Sequence, residues 1–167
     1  RGTFGDCDSL TSVTLPASLT TIGDGAFSGC VSLMSIPLPA SLTSIEDGVF
    51  SGCSSLSAFV VSPDNPIFYT VDGVLLTKDK TRLIAYPCSK PGDTYTVPDG
   101  VTSIGAAAFF GCLNLTSVTI PASVTSIGNE AFSRSSALTS VTLPDSVKSI
   151  GDKAFYGCSN LNSVTLP

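Results

Sequence analysis

The chain carries six Cys, thirteen Asp and Glu residues and no His. The missing imidazole removes Ser-His-Asp and Cys-His catalysis, and His-ligated zinc with them. Five thiols share one column of a repeat. Cys7, Cys30 and Cys53 stand 23 residues apart, and Cys112 and Cys158 flank the equivalent Ser135. Cys88 stands one residue off that column, at whose position lies Ser89. Stacked units would bring column neighbours to about 5 Å, within bridging range. Their Cβ vectors would run parallel, however, which suits stacking better than bonding. All six are therefore expected as reduced, mostly buried thiols. A line of thiols offers no tetrahedral metal site, so no metal or other cofactor is expected. Asp24, Asp47, Asp64, Asp72, Asp99, Asp145 and Asp152 sit in turns, where turn chemistry accounts for them. No convergent acid, base and nucleophile set emerges, so the chain reads as no enzyme and has no catalytic candidates.

Two other groups of side chains could bind rather than react. Lys78, Lys80, Arg82 and Lys90 are half of the eight basic residues, and Tyr69 lies just before them. Together they suggest a projecting basic, aromatic hairpin that meets a partner. The plainer alternative is a structural variant of the repeat with solvated lysines. The second group is hydroxyl. With 26 Ser and 18 Thr against 13 % charged residues, the surface must be mostly hydroxyl. Ser12/Thr14, Ser117/Thr119, Ser140/Thr142 and Ser163/Thr165 recur as outward Ser-x-Thr pairs, interrupted at Pro37 and at Ala58/Val60. Such a lattice can order water, but Ser and Thr also simply suit a solvent-facing strand. The net charge of −5 argues against a nucleic-acid partner. No apolar run reaches the roughly 18 residues of a membrane span.

These groups are positioned by self-similarity. Phe4, Phe27 and Phe50 are 23 apart, as are Phe109, Phe132 and Phe155. Pro98, Pro121, Pro144 and Pro167 keep the same interval. In one unit, Val13 and Leu15 share a strand face, Pro16 ends the strand, and Leu19 and Ile22 return inward. No unit this short buries its own apolar face, but stacked units cover one another. The expected fold is a β-rich solenoid with one continuous parallel sheet, a second shorter ladder, and short helical or 3₁₀ turns at Ala-Phe-x-Gly-Cys. The period fails once. Phe50 to Phe109 is 59, so residues 56–91 form an irregular 36-residue unit. Within it, β-rich runs flank Asp72-Gly73, a strong hairpin signal.

The pattern Leu-x-x-Val-x-Leu-Pro-x-Ser-Leu-Thr-x-Ile-Gly-x-x-Ala-Phe-x-Gly-Cys resembles the bacterial BspA-like, or Treponema-type, leucine-rich repeat. The resemblance covers essentially the whole chain. It implies a right-handed, curved leucine-rich-repeat superhelix and a cell-surface or secreted location. It also implies adhesion to host or microbial surface macromolecules, protein or glycan, by a monomer without catalytic residues. A passive stalk presenting another domain is the alternative. Residues 1–167 read as a single uncapped fragment, opening mid-unit at Arg1-Gly-Thr-Phe4 and stopping mid-unit at Val164-Thr-Leu-Pro167. The candidate partner-binding residues are Tyr69, Lys78, Lys80 and Arg82 on the hairpin, and Ser117, Thr119, Ser140 and Thr142 on the sheet.

Overall fold

Alternation decides the strands. Val118 and Val141 are buried, while Thr119 and Thr142 beside them face outward. The computed structural model describes residues 2–165, so Arg1 and the Pro167 position of the repeat lie outside the described residues. In chain order the strands are β1 (Thr21–Ile22), β2 (Ser35–Leu38), β3 (Ser44–Ile45), β4 (Ala58–Val61), β5 (Phe68–Val71), β6 (Val74–Thr77) and β7 (Arg82–Ala85). They are followed by β8 (Thr94–Thr96), β9 (Ser103–Ile104), β10 (Ser117–Thr119), β11 (Ser126–Ile127), β12 (Ser140–Thr142), β13 (Ser149–Ile150) and β14 (Ser163–Thr165).

The coils stack as a β-solenoid. Strands β8, β10, β12 and β14 pair in parallel, with Thr94, Ser117, Ser140 and Ser163 in register. The shorter ladder runs β7-β9-β11-β13, also parallel. Each expected ladder is split rather than continuous: β2-β4 and β1-β3 form separate two-stranded sheets. The irregular unit causes the split. Strands β5 and β6 form an antiparallel hairpin that joins β7 and so extends the shorter ladder. Its two-residue tip is left-handed at both positions, Asp72 at φ 49° and Gly73 at φ 77°, the twist a tight hairpin favours. That tip turns inward. Phe59 N–H donates to Gly73 O at 2.9 Å, so the tip takes the place beside β4 where the next long strand would pair. The hairpin is thus packed into the solenoid, not projecting from it.

Strand β6 also partitions the core. Val74, Leu75 and Leu76 are all fully buried. Leu75 packs with the N-terminal cluster around Phe27, Leu33 and Leu42, while Val74 and Leu76 pack with the C-terminal one around Phe109, Val124 and Phe132. A strand covered on both faces reads as an unbroken apolar run.

The Ala-Phe-x-Gly-Cys segments form successive turns, with no helical or 3₁₀ segment among the described residues. Each turn has two left-handed positions four residues apart: Gly25 and Gly29, Gly48 and Gly52, Ala107 and Gly111, Glu130 and Arg134, Lys153 and Gly157. A chain that changes hand this often cannot continue as a helix. Alternate amides instead donate to the next coil: Gly25, Phe27 and Gly29 N–H to Asp47, Val49 and Ser51 O at 3.2, 3.0 and 2.7 Å. Non-glycine residues at these positions carry strain. Glu130→Gly should therefore stabilise the chain by about 0.5–1 kcal/mol, the left-handed penalty less glycine's greater unfolded entropy. The denaturant midpoint would rise, and an unchanged or lower midpoint would count against strain at this column.

Candidate functional site

The hydroxyls divide into two populations. One is structural. Thr43, Thr102, Thr116, Thr125 and Thr139 each donate Oγ1 to a carbonyl of the preceding coil, at 3.0–3.2 Å. The other faces outward unused. Among the described residues, Ser117, Thr119, Ser140 and Thr142 make no side-chain hydrogen bond. Register aligns them as two rows, with Thr94 and Thr96 extending each row by one strand. Neighbours along a row are about 4.8 Å apart and the rows roughly 6.7 Å apart. Thr94 and Thr96 were not among the candidates, because the signal sought was Ser-x-Thr and this coil has Thr-x-Thr around the half-buried Tyr95.

The thiol column acts through hydrogen bonds. Cys30, Cys53 and Cys158 Sγ donate to Phe4, Phe27 and Phe132 O at 3.1, 3.1 and 3.0 Å. Ser135 Oγ makes the same bond to Phe109 O at 2.6 Å, so Ser replaces Cys here with its donor retained. Burial, with the nearby Cys30 sulfur second, pushes the Cys53 thiol up to about 12. Burial raises Cys30 and Cys158 as well.

The expectation of six free thiols fails at one pair. Cys88 and Cys112 are disulfide-bonded, with Cα atoms 4.6 Å apart. Cys88 arrives on the irregular unit, one residue out of phase, so its Cβ does not run parallel to the column as the others do. Cys7, Cys30, Cys53 and Cys158 remain free. A thiol titration in denaturant without reductant should then count four thiols, the number left free here. A count of all six would refute the bridge.

Three of the four hairpin candidates come together. Lys78 and Lys80 Nζ lie 5.5 and 5.1 Å from the centroid of the half-exposed Tyr69 ring. The β6–β7 turn holds them there. Asp79 accepts from Thr77 Oγ1 at 2.6 Å, Thr81 N at 3.0 Å and Thr81 Oγ1 at 2.8 Å. These bonds, the Thr77 hydroxyl first, hold its carboxyl below the ordinary range. Arg82 stands apart from this cluster and faces Asp47 at 3.6 Å, both well exposed, a pairing worth little in stability.

Among the described residues, no group of His, Cys, Asp and Glu is placed to hold a metal ion, and no helix is long and apolar enough to cross a membrane.

The match to known proteins follows this geometry. The model of the BspA type leucine rich repeat region matches residues 1–70 and 86–167 in six copies, leaving out the inner part of the hairpin unit. Among solved structures, a leucine-rich repeat protein from Eubacterium ventriosum is 27 % identical, with a TM-score of 0.78 over 99 % of this chain and 56 % of that one. The pneumococcal vaccine antigen PcpA is 27 % identical, with a TM-score of 0.73 over 93 % of this chain and 50 % of that one. A leucine rich cell surface protein from Faecalibacterium prausnitzii is 29 % identical, with a TM-score of 0.71 over 98 % of this chain and 55 % of that one. The chain thus spans about half the length of each. No curated protein matches it. Its stacked 23-residue coils and six repeat matches make the chain a member of the BspA type leucine-rich repeat family.

Proposed function

We propose that the chain is a non-enzymatic interaction module of a bacterial cell-surface protein, adhering to host or microbial macromolecules. The observation that carries this reading is the division of the hydroxyls. Thr116 and Thr139 are consumed in holding coils together, whereas the rows through Ser117/Ser140 and Thr119/Thr142 keep their full hydrogen-bonding capacity outward. A rigid sheet presenting unspent donors and acceptors on a regular grid suits a polar protein or glycan surface. The similarity to a leucine rich cell surface protein supports the location. The cluster of Tyr69, Lys78 and Lys80 adds a cationic spot to an otherwise acidic molecule.

Binding would be shallow and additive, so affinity rises with the number of coils engaged and through avidity. The test is a solid-phase panel of matrix proteins, mucins, glycans and whole bacteria. Two variants are compared with the parent: Thr119→Val with Thr142→Val, which keeps the strands, and Lys78→Ala with Lys80→Ala. Loss of at least about tenfold in affinity is expected for the hydroxyl variant. Any contribution of the lysines should fade with added salt, since screening acts over about 10 Å at 0.1 M. Silence of the parent across the panel would overturn adhesion and leave a spacer role.

A further inference from the structure

The irregular unit leaves a gap in the turn ladder. In the regular coils on either side, a turn donates three amides to the coil that follows. Ala107, Phe109 and Gly111 N–H reach Asn129, Ala131 and Ser133 O at 2.9, 2.7 and 2.9 Å, and Glu130, Phe132 and Arg134 N–H repeat this toward the following coil. The equivalent donors before the irregular unit are Gly48, Phe50 and Gly52. Among the described residues, none of these three amides has an acceptor. The aromatic column breaks at the same place: Phe27 stacks on Phe50, but Phe50 then meets Phe59 edge-on at 4.9 Å, and stacking resumes only at Tyr86 on Phe109.

The coils on either side form a wedge. They close at Gly111, where an added Cβ would lie 3.7 Å from Gly52 Cα. They splay apart toward Gly48 and Ala106, enclosing a cleft of about 170 Å³ against Phe50, Ala107 and Phe110. The cleft opens into a broader depression bordered by Glu46, Asp47 and Glu130. Inside are two backbone donors, Gly48 and Phe50 N–H, in the spacing that elsewhere meets carbonyls of residues i and i+2. Outside is a net negative rim of Glu46, Asp47 and Glu130, in which Arg82 is paired with Asp47 at 3.6 Å. That combination suits peptide carbonyls carried on a cationic segment, and the rim repels a phosphate or a free carboxylate.

We propose that this wedge is a peptide-binding groove, in which Gly48 and Phe50 N–H pair with the main chain of an extended, Lys- or Arg-rich segment of a partner protein. The partner strand takes the place of the missing turn ladder, as in strand addition to a sheet edge, and its basic side chains meet Glu130 and, in exchange for the solvent-exposed Arg82, Asp47. The groove is independent of the hydroxyl rows and the lysine cluster, so failure of adhesion through those surfaces would not touch it.

The test uses the intact chain, ¹⁵N-labelled, and a blocked peptide of alternating Lys and Ala. The peptide should perturb the Gly48 and Phe50 amide resonances most and slow their hydrogen exchange. A matched Glu-Ala peptide should bind at least about tenfold more weakly. The charge-reversed variant Asp47→Lys with Glu130→Lys should lose about as much. It should still fold, because Lys153 already occupies the Glu130 column at the same left-handed φ. Absence of binding by the Lys-Ala peptide would overturn the proposal, as would binding that leaves the Gly48 and Phe50 amides unmoved or survives charge reversal.

Discussion

Replacing Asn65 with Ala should destabilise the chain by roughly 3–5 kcal/mol, more than an ordinary surface change by a wide margin. Asn65 is 1 % exposed and spends its whole amide on backbone. Its Nδ2 donates to Pro39 O at 2.8 Å and Leu42 O at 2.9 Å. Its Oδ1 accepts from Ile67 N at 2.9 Å and Phe68 N at 2.7 Å. One side chain thus ties the irregular unit to the coil before it and sets the start of β5. Alanine leaves Leu42 O, Ile67 N and Phe68 N without their partner, while Pro39 O keeps Leu42 N–H at 3.2 Å. Each that stays buried costs about 1–3 kcal/mol, while those water can reach cost less. The melting temperature should fall by roughly 6–20 °C at this chain length.

Asn65→Asp provides the sharper contrast. The acid keeps the two acceptor bonds but turns an oxygen toward the Pro39 and Leu42 carbonyls. A proton on that oxygen restores one donor, so folding raises the carboxyl above its ordinary value. The Asp variant should therefore recover stability as pH falls from about 7 to about 4, and lose it again as pH rises. The Ala variant should show no such recovery. Equal behaviour of the two would mean that Asn65 fills space without carrying these bonds.

Asn65 also marks how far a reading of residues can reach. Asn65-Pro66 reads as a turn, and the turn lies just before it at Pro63-Asp64, closed by Asn65 N–H on Ser62 O at 2.9 Å; that the amide ends in a neighbouring coil depends on stacking, which no local pattern contains. The alternation at Val118 and Val141 was legible because a strand face has period two. The run Val74-Leu75-Leu76-Thr77 was legible as one arm of a hairpin around Asp72-Gly73, but its burial and its division between two core clusters follow from where the hairpin docks. The left-handed turn columns are visible as Gly25 and Gly48, then hidden by Ala107, Glu130 and Lys153 in the same place. Here tertiary ladder bonds override local preference. The Cys88–Cys112 bond escaped for a related reason. Spacing shows that Cys88 is out of phase but not the direction of its Cβ. The binding candidates were legible as residue types. Which hydroxyls stay unspent, and which amides face the wedge, are decided by inter-coil hydrogen bonds.

Gly128→Ala should be the other severe change, at about 3 kcal/mol, the upper part of the usual overpacking range. Gly128 has no left-handed φ to demand glycine; the coil beneath demands it. A Cβ there would sit 2.6 Å from Ala106 N, 2.7 Å from the Gly105 carbonyl carbon and 2.9 Å from Ala106 Cα. All three are backbone, so no rotamer change relieves them. The coil must lift, which strains Gly128 N–H to Ile104 O at 2.9 Å and the parallel pairing of Ile127 with Ile104. Nor can the strain pass downward, because a Cβ on Gly105 would itself lie 3.0 Å from Leu83 O. Gly100→Ala is the control. It has nothing within 4 Å, so its φ of 92° is the only cost, and that cost is about 1–2 kcal/mol. A solenoid is held by nearest-neighbour interfaces, so the damage should stay local. Hydrogen-exchange protection should fall first in β11 to β14, while Leu33, Leu42 and the rest of the N-terminal cluster keep theirs. Uniform loss along the chain would instead mean that the two core clusters meeting at β6 unfold as one cooperative unit.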